Sequence, residues 1–220
     1  MRFFRPGRRR PRATAGALVI VGLGLAGATG LAGCGGKSSP ASGSSTPAAR
    51  PPAHATFPEG GPQAKTLGHS LPIKLDIPKI GVHAPVSTLG LKSDGTIQEP
   101  PLSKPNLTGW YRLGPTPGET GPAVIAGHVD AHGGPAVFYR LKQLHRGDRA
   151  TITRKDGSVV IFQVDAIQQV PKDAFPTKKV YGDIAFPGLR LITCGGSFDK
   201  STGHYIDNVI AYGHLVASRV

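Results

Sequence analysis

Two side chains in this sequence could act together as a nucleophile and its proton-transfer partner. Cys194 follows the run Leu-Arg-Leu-Ile-Thr, and His128 follows Ala-Val-Ile-Ala-Gly. Both runs are typical of β-strands, and a glycine adjoins each reactive residue, which lets a substrate or another strand approach closely. If the two strands are parallel neighbours, the thiol and the imidazole emerge at one rim, where the imidazole can exchange protons with a reacting thiolate.

Each of these residues also has a purely structural interpretation. A cysteine at the end of a strand is often a small buried hydrophobe. His128, Asp130 and His132 could together bind a metal ion, but a second group of ligands is missing, so we expect no metal and no cofactor. Spacing alone therefore leaves the thiol-enzyme interpretation open beside the structural one.

The first 34 residues have the layout of an export signal. An arginine-rich start precedes a 17-residue apolar or small stretch at 17–33, which ends in Leu-Ala-Gly-Cys at Cys34. That ending resembles the lipobox of bacterial lipoproteins, whose cysteine is lipidated. We expect 1–34 to be a signal peptide with a lipobox, or an uncleaved membrane anchor. The protein would then lie on the extracytoplasmic face of the cell membrane, in the cell envelope.

The chain has two cysteines, and the assignment of Cys34 to the export segment leaves Cys194 without a disulfide partner. A free thiol in an oxidising compartment is a liability unless it is buried or has a chemical role. The net charge of +13 is concentrated at the start, with six arginines in the first 12 residues. Nothing in the remaining, mildly basic chain has the Arg/aromatic pattern of nucleic-acid recognition.

The body of the chain divides into two parts by composition. Residues 35–70 are rich in Ser, Pro, Ala and Gly, so we expect a disordered tether that cannot bury a core. Residues 71–220 show short alternating runs separated by Pro and Gly, and Asp156-Gly157 indicates a tight hairpin. This pattern predicts a mainly β fold, a closed or nearly closed β-barrel with one or two short helices.

The motifs around the two reactive residues resemble those of sortases. The run Leu-Ile-Thr-Cys-Gly-Gly, with Ala-Gly-His-Val-Asp 66 positions upstream, is similar to the class F type of high-GC Gram-positive bacteria. The resemblance covers 71–220, and further segments match in order at 77–86, 109–130, 135–148, 172–177 and 204–216.

This resemblance implies a sortase-like β-barrel with cysteine transpeptidase activity. Cys194 would attack the Thr–Gly bond of an LPXTG-like sorting signal at the C-terminus of a secreted protein, forming an acyl-enzyme thioester. An amine, usually from a peptidoglycan precursor, would then resolve the thioester. His128 would protonate the departing amine and deprotonate the incoming one. We expect the enzyme to be a monomer.

The sequence departs from the family at its third catalytic group. Sortases carry an arginine on the strand after the cysteine, and here Asn208 occupies the expected place. Tyr205-Ile206-Asp207-Asn208 contains no arginine, and the position of Ile206 is an alternative place for the arginine of relatives. Asparagine can donate a hydrogen bond to an oxyanion and position the substrate, but it brings no charge. Arg112 or Lys200 could supply the charge from elsewhere.

Two other functions fit parts of the pattern. The missing arginine is compatible with a non-catalytic sortase-like lipoprotein that binds sorting motifs or wall fragments. An L,D-transpeptidase is also a β-rich cell-wall enzyme with a cysteine. It requires Ser-x-Gly-Cys with an arginine closely following, which the sequence around Cys194 does not provide.

Overall fold

The computed structural model describes residues 64–220. The expected signal peptide, the lipobox Cys34 and most of the expected tether lie outside the described residues. The strands are β1 (Pro72–Ile77), β2 (Val82–Leu89), β3 (Thr108–Tyr111), β4 (Gly121–Ala126), β5 (Asp130–Ala131), β6 (Gly134–Pro135), β7 (Arg149–Arg154), β8 (Val159–Pro171), β9 (Pro187–Asp199) and β10 (His204–Arg219). One α-helix, α1 (Thr177–Tyr181), and three 3-10 turns at Pro78–Ile80, Leu141–Gln143 and Lys172–Ala174 complete the described secondary structure.

Eight of the strands form a closed barrel in the order β1-β2-β3-β4-β9-β10-β8-β7. The β2–β3 and β4–β9 pairs are parallel, and the other pairs are antiparallel. Asp156-Gly157 lies in the turn between β7 and β8, where the N–H of Gly157 donates to the carbonyl of Arg154 at 3.0 Å. The predicted closed β-barrel with few, short helices is confirmed.

The barrel interior is filled by apolar side chains from all eight strands. Alternation along each strand sends every second residue inward, so the core collects branched and aromatic side chains at these positions. One buried residue from each strand represents this core: Leu75, Val82, Trp110, Ile125, Ile152, Phe162, Leu191 and Val209.

A second apolar cluster lies on the outer face of the sheet. It contains the alternate residues of three adjacent strands, Val124 on β4, Ile192 on β9 and Ile210 on β10. Two connecting segments cover it: 90–107 contributes Ile97, and 172–186 contributes Phe175 and Val180. Burial of these side chains holds both segments against the barrel and places them beside the ends of β4 and β9.

The N-terminal end of the described chain contacts the barrel. Leu67 packs against the interior core, and its N–H donates to the carbonyl of Gly118 at 2.9 Å. Ser70 is buried, and its N–H donates to the hydroxyl of Thr116 at 3.2 Å. Within residues 64–220, none of the helices has the length and apolar character needed to cross a membrane.

Candidate active site

Parallel pairing of β4 with β9 brings His128 and Cys194 to the same rim of the barrel. Ala126 pairs with Ile192, and the N–H of Gly127 donates to the carbonyl of Ile192 at 3.1 Å. His128 and Cys194 each lie two residues beyond that pair, in strands that run in the same direction. The expectation that these two strands are parallel neighbours is therefore confirmed.

Strand alternation places the Cys194 thiol outside the barrel. Leu191 belongs to the interior core, whereas Ile192 belongs to the outer cluster. Cys194 is two residues after Ile192 and so shares its outer face. It is only 3% exposed, because the connecting segments cover this part of the sheet. In the described part of the chain Cys194 is a free cysteine.

His128 is held by the segment that precedes β3. It is 4% exposed, and its Nε2 lies 2.6 Å from the carbonyl oxygen of Pro100. A carbonyl oxygen can only accept a hydrogen bond, so Nε2 must carry a proton. In the neutral ring Nδ1 is then the nitrogen with the lone pair, and it alone can accept a proton. The Pro100 contact therefore selects a tautomer suited to proton exchange through Nδ1.

Asn208 lies directly opposite Cys194 in the β9–β10 ladder. Directly opposed side chains share a face, with β-carbons about 5 Å apart. Asn208 is 1% exposed, yet among the described residues neither its Oδ1 nor its Nδ2 has a hydrogen-bond partner. A buried amide without partners costs roughly 1–3 kcal/mol, so such a group usually has a functional explanation. Asn208 thus places an unpartnered donor and an unpartnered acceptor directly opposite Cys194, although it does not itself line a cleft found beside the thiol.

The thiol and the imidazole border an open cleft of about 340 Å³. One wall is stabilised by the Tyr205 hydroxyl, which donates to the Asp130 carboxylate, and by edge-to-face packing of Phe198 on Tyr205 at 5.2 Å between ring centroids. The hydrogen bond to Asp130, with added burial, raises the pKa of Tyr205 to about 12, so the phenol stays protonated at neutral pH. The lining residues are Glu99, Leu102, His128, Val129, Asp130, Ala131, His132, Gly133, Lys172, Cys194, Phe198, Gly203, His204 and Tyr205.

The charged groups around the Cys194 thiol shift its pKa in opposite directions. Burial raises the pKa of Cys194, because a thiolate loses solvation in this covered position. The positive charge of Lys172 opposes that shift, whereas the negative charge of Glu99 adds to it. The thiol form therefore predominates at neutral pH, and the reactive thiolate is the minor form.

Comparison with known proteins decides the family. The model of the sortase domain matches residues 75–216, which is more than half of the chain. The chain belongs to the sortase family. No curated protein matches the sequence significantly.

Solved sortase structures have the same fold. Sortase A from Corynebacterium diphtheriae is 22% identical with a TM-score of 0.51, and the match covers 67% of this chain and 62% of that one. Sortase C-1 from Actinomyces oris is 21% identical with a TM-score of 0.51, covering 65% and 72%. Sortase C1 from Streptococcus agalactiae is 19% identical with a TM-score of 0.50, covering 65% and 66%. This sortase thus spans less than two thirds of the C. diphtheriae and S. agalactiae structures.

The two cations that the sequence offered in place of the missing arginine lie away from the cleft. Arg112 is exposed and approaches Gly90 and Gln98 at the end of β2, and Lys200 is exposed in the β9–β10 turn. Neither lines the cleft, and no arginine lines it among the residues from 64 onward. The lysine that does line the cleft with Cys194 is Lys172, which the sequence analysis did not single out. Its only signal was its place in the matching segment 172–177.

Residues 64–220 contain no group of three or more His, Cys, Asp and Glu side chains arranged to hold a metal ion. His128 is bonded to Pro100, and Asp130 accepts the Tyr205 hydrogen bond, so these two side chains have other partners. The geometry of the described residues gives no support to a metal site formed by His128, Asp130 and His132.

We predict that Gly127→Ala destabilises this sortase and lowers its activity. A β-carbon at Gly127 would lie 2.7 Å from Val137 and 2.8 Å from the ring of Phe138, both buried. The N–H of Phe138 also donates to the carbonyl of His128 at 3.0 Å, so relief of the clash displaces His128. The expected loss is about 1–3 kcal/mol in the free energy of unfolding, measured by urea denaturation.

Gly68→Ala is the matched control for Gly127→Ala, since a β-carbon at Gly68 would meet nothing within 4 Å. It should change the stability by less than about 0.5 kcal/mol. Equal stability of the two variants would show that the close approach of Phe138 does not constrain the position of His128.

Proposed function

We propose that this sortase is a cysteine transpeptidase that cleaves an LPXTG-like sorting signal and transfers the secreted protein to an amine of the cell wall. The observation that carries the proposal is the buried, unpartnered amide of Asn208 directly opposite the Cys194 thiol. His128 lines the cleft together with Cys194 and can exchange a proton through Nδ1. On its sequence motifs we assign it to the class F type.

In the first step the Cys194 thiolate attacks the carbonyl carbon of the Thr–Gly bond. A new C–S bond forms, and the carbonyl π electrons move to the oxygen, which accepts a hydrogen bond from Nδ2 of Asn208. The C–N bond then breaks as the protonated His128 delivers its Nδ1 proton to the departing amine. The products are a thioester at Cys194, a neutral imidazole and the released C-terminal fragment.

In the second step the neutral imidazole of His128 accepts a proton from the incoming amine. The amine nitrogen attacks the thioester carbon, a C–N bond forms, and the C–S bond breaks to return the Cys194 thiolate. No net hydrolysis occurs, and the energy of the thioester drives the new amide bond. The two steps require two kinds of partner. One is a secreted protein with a C-terminal sorting signal, and the other is a peptidoglycan-precursor or similar amine.

We predict that Asn208→Ala slows peptide cleavage by roughly 10²–10³, the range found when one oxyanion donor is removed. The fold should be kept, because the variant removes a buried amide that has no partner among the described residues. The measurement is kcat/KM for a fluorogenic sorting peptide. A larger effect on kcat than on KM is expected for a donor that acts in the transition state.

Thr193→Val is the matched control for Asn208. Its hydroxyl is also buried and unpartnered among the described residues, but Thr193 is on the face of β9 opposite to Cys194. We expect this variant to cleave at nearly the wild-type rate. If Asn208→Ala cleaved as fast as Thr193→Val, Asn208 would have no role in the reaction.

A panel of peptides tests the proposed function as a whole. We expect LPXTG-type peptides to be cleaved at Thr–Gly and, with an added amine, to give the amide product, both measured by liquid chromatography and mass spectrometry. Turnover of peptidoglycan stem peptides instead would identify an L,D-transpeptidase. Binding of sorting peptides without any cleavage would favour the non-catalytic sortase-like lipoprotein. The observation compatible with that alternative is that no arginine among residues 64–220 lines the cleft.

We also propose that the protein works on the extracytoplasmic face of the membrane, attached through its N-terminal segment. The support is the arginine-rich start, the apolar stretch and the Leu-Ala-Gly-Cys ending at Cys34. Metabolic labelling with a palmitate analogue, lost in Cys34→Ser, would distinguish lipidation from an uncleaved anchor.

A further inference from the structure

A lysine from outside the barrel sheet lines the cleft of the candidate nucleophile. Lys172 follows β8 directly and begins the 3-10 turn Lys172–Ala174. It is half-buried and lines the cleft together with Cys194 and His128.

The strand register explains how Lys172 comes to this position. Cys194 pairs with Asn208 across β9–β10, and Asn208 pairs with Val170 across β10–β8. The three residues form one row on the outer face of the sheet. Lys172 is two residues beyond Val170, next to the place where Ile206 and Asp207 border a neighbouring groove. From there a four-carbon side chain can reach back to the thiol at the end of the row.

We propose that Lys172 is the cation that stabilises the Cys194 thiolate in this sortase. A lysine from the β8–β9 connection would then supply the charge that is missing at the expected arginine position on β10. The inference rests on the proposed role of Cys194 as the nucleophile. Two residues then share the role of the missing arginine. Asn208 provides an uncharged donor for the substrate oxygen, and Lys172 provides the positive charge near the sulfur.

Lys172 is one of several charged or titratable groups that face the thiol. From the 90–107 segment comes Glu99, which is paired with Lys92 at 3.1 Å. The other elements packed around the cleft contribute His128, Asp130 and His132 after β4, and His204 and Tyr205 from β10. Asp130 and Tyr205 are bonded to each other. Lys172 and Glu99 are the two of these side chains whose charges act on the pKa of Cys194, and they act in opposite directions.

The test is the pH dependence of Cys194 alkylation by iodoacetamide, which needs neither a sorting peptide nor an acceptor amine. It uses the full chain carrying Cys34→Ser, so that Cys194 is the only thiol. Lys172→Met keeps the apolar stem and removes the charge. We expect its profile to move by about one unit to higher pH, which is a roughly tenfold slower reaction at any pH below the pKa. Lys172→Arg should restore the wild-type profile.

Two further variants distinguish an effect of charge on the alkylation profile from a general disturbance of the cleft. Lys200→Met removes an exposed lysine of the β9–β10 turn that does not line the cleft, and its profile should match the wild type. Glu99→Gln should move the profile to lower pH, opposite to Lys172→Met, because it removes a charge that disfavours the thiolate.

The inference is overturned if the Lys172→Met profile coincides with that of the wild type, if Lys172→Arg behaves like Lys172→Met, or if Glu99→Gln moves the profile in the same direction as Lys172→Met. Failure of the proposed function would look different. In that case no sorting peptide would be cleaved, while the alkylation profiles of the Lys172 and Glu99 variants would still move in opposite directions.

Discussion

Replacing Cys194 by alanine should abolish cleavage of sorting peptides and formation of the transpeptidation product. The reason is that Cys194, the free cysteine of the described chain, provides the sulfur on which the thioester forms in the proposed mechanism. Loss of a covalent nucleophile typically costs on the order of 10⁴–10⁶ in kcat, so the residual rate should fall below detection in a fluorogenic assay. The binding of the sorting peptide, measured by fluorescence anisotropy, should change by less than about threefold.

Cys194→Ser is the matched variant for this prediction. It preserves the size and polarity of the side chain but replaces the thiol by a hydroxyl, which is far harder to ionise in this buried position. Both variants should unfold at the wild-type denaturant concentration. Cleavage by Cys194→Ala at a rate close to the wild type would exclude the thiol mechanism.

Replacing His128 by glutamine should lower the cleavage rate by roughly 10²–10⁴, the usual contribution of a positioned acid–base group. A glutamine amide can still donate to the carbonyl of Pro100, as Nε2 of His128 does at 2.6 Å, so the loop should stay in place. What it cannot do is carry a proton to the departing amine. The measurement is kcat/KM for a fluorogenic sorting peptide, compared with that of the wild type under the same conditions.

His145→Gln controls for the general effect of losing a histidine. His145 is exposed after the turn Leu141–Gln143, and it does not line the cleft. We expect wild-type cleavage from this variant. If the two histidine variants retained equal activity, proton transfer would have to come from another group.

The overall fold could be predicted because the signals that determine it are local. Short alternating runs predicted the strands, and Asp156-Gly157 predicted the β7–β8 hairpin. The scarcity of helical periodicity argued against helix-rich fold classes. The juxtaposition of His128 and Cys194 needed one further assumption, that their strands are parallel neighbours. The structure confirms it through the pairing of Ala126 with Ile192.

The rest of the site could not be predicted because it depends on contacts between segments distant in sequence. Pro100 is 28 positions before His128, in a segment held against the outer cluster by Ile97. Lys172 lines the cleft from another such segment, and no sequence pattern shows where a flexible side chain lies. The expectation that Arg112 or Lys200 supplies the missing charge receives no support from their exposed positions outside the cleft.

The position of Asn208 illustrates an intermediate case. Counting along the strand identified the residue, but only the structure shows that it is directly opposite Cys194 and that, among the described residues, its amide has no partner. The sequence could suggest a hydrogen-bond donor at this place. It could not show that the donor is buried and without a partner among the described residues, which is the property on which its proposed role rests.

The most direct test of this mechanism is the intact mass of the protein after incubation with an LPXTG-type peptide in the absence of an acceptor amine. We predict a mass increase equal to the acyl fragment, mapped to Cys194, sensitive to hydroxylamine and absent in Cys194→Ala. Cleavage of the peptide without any adduct at Cys194, even on rapid quenching, would contradict a thioester intermediate.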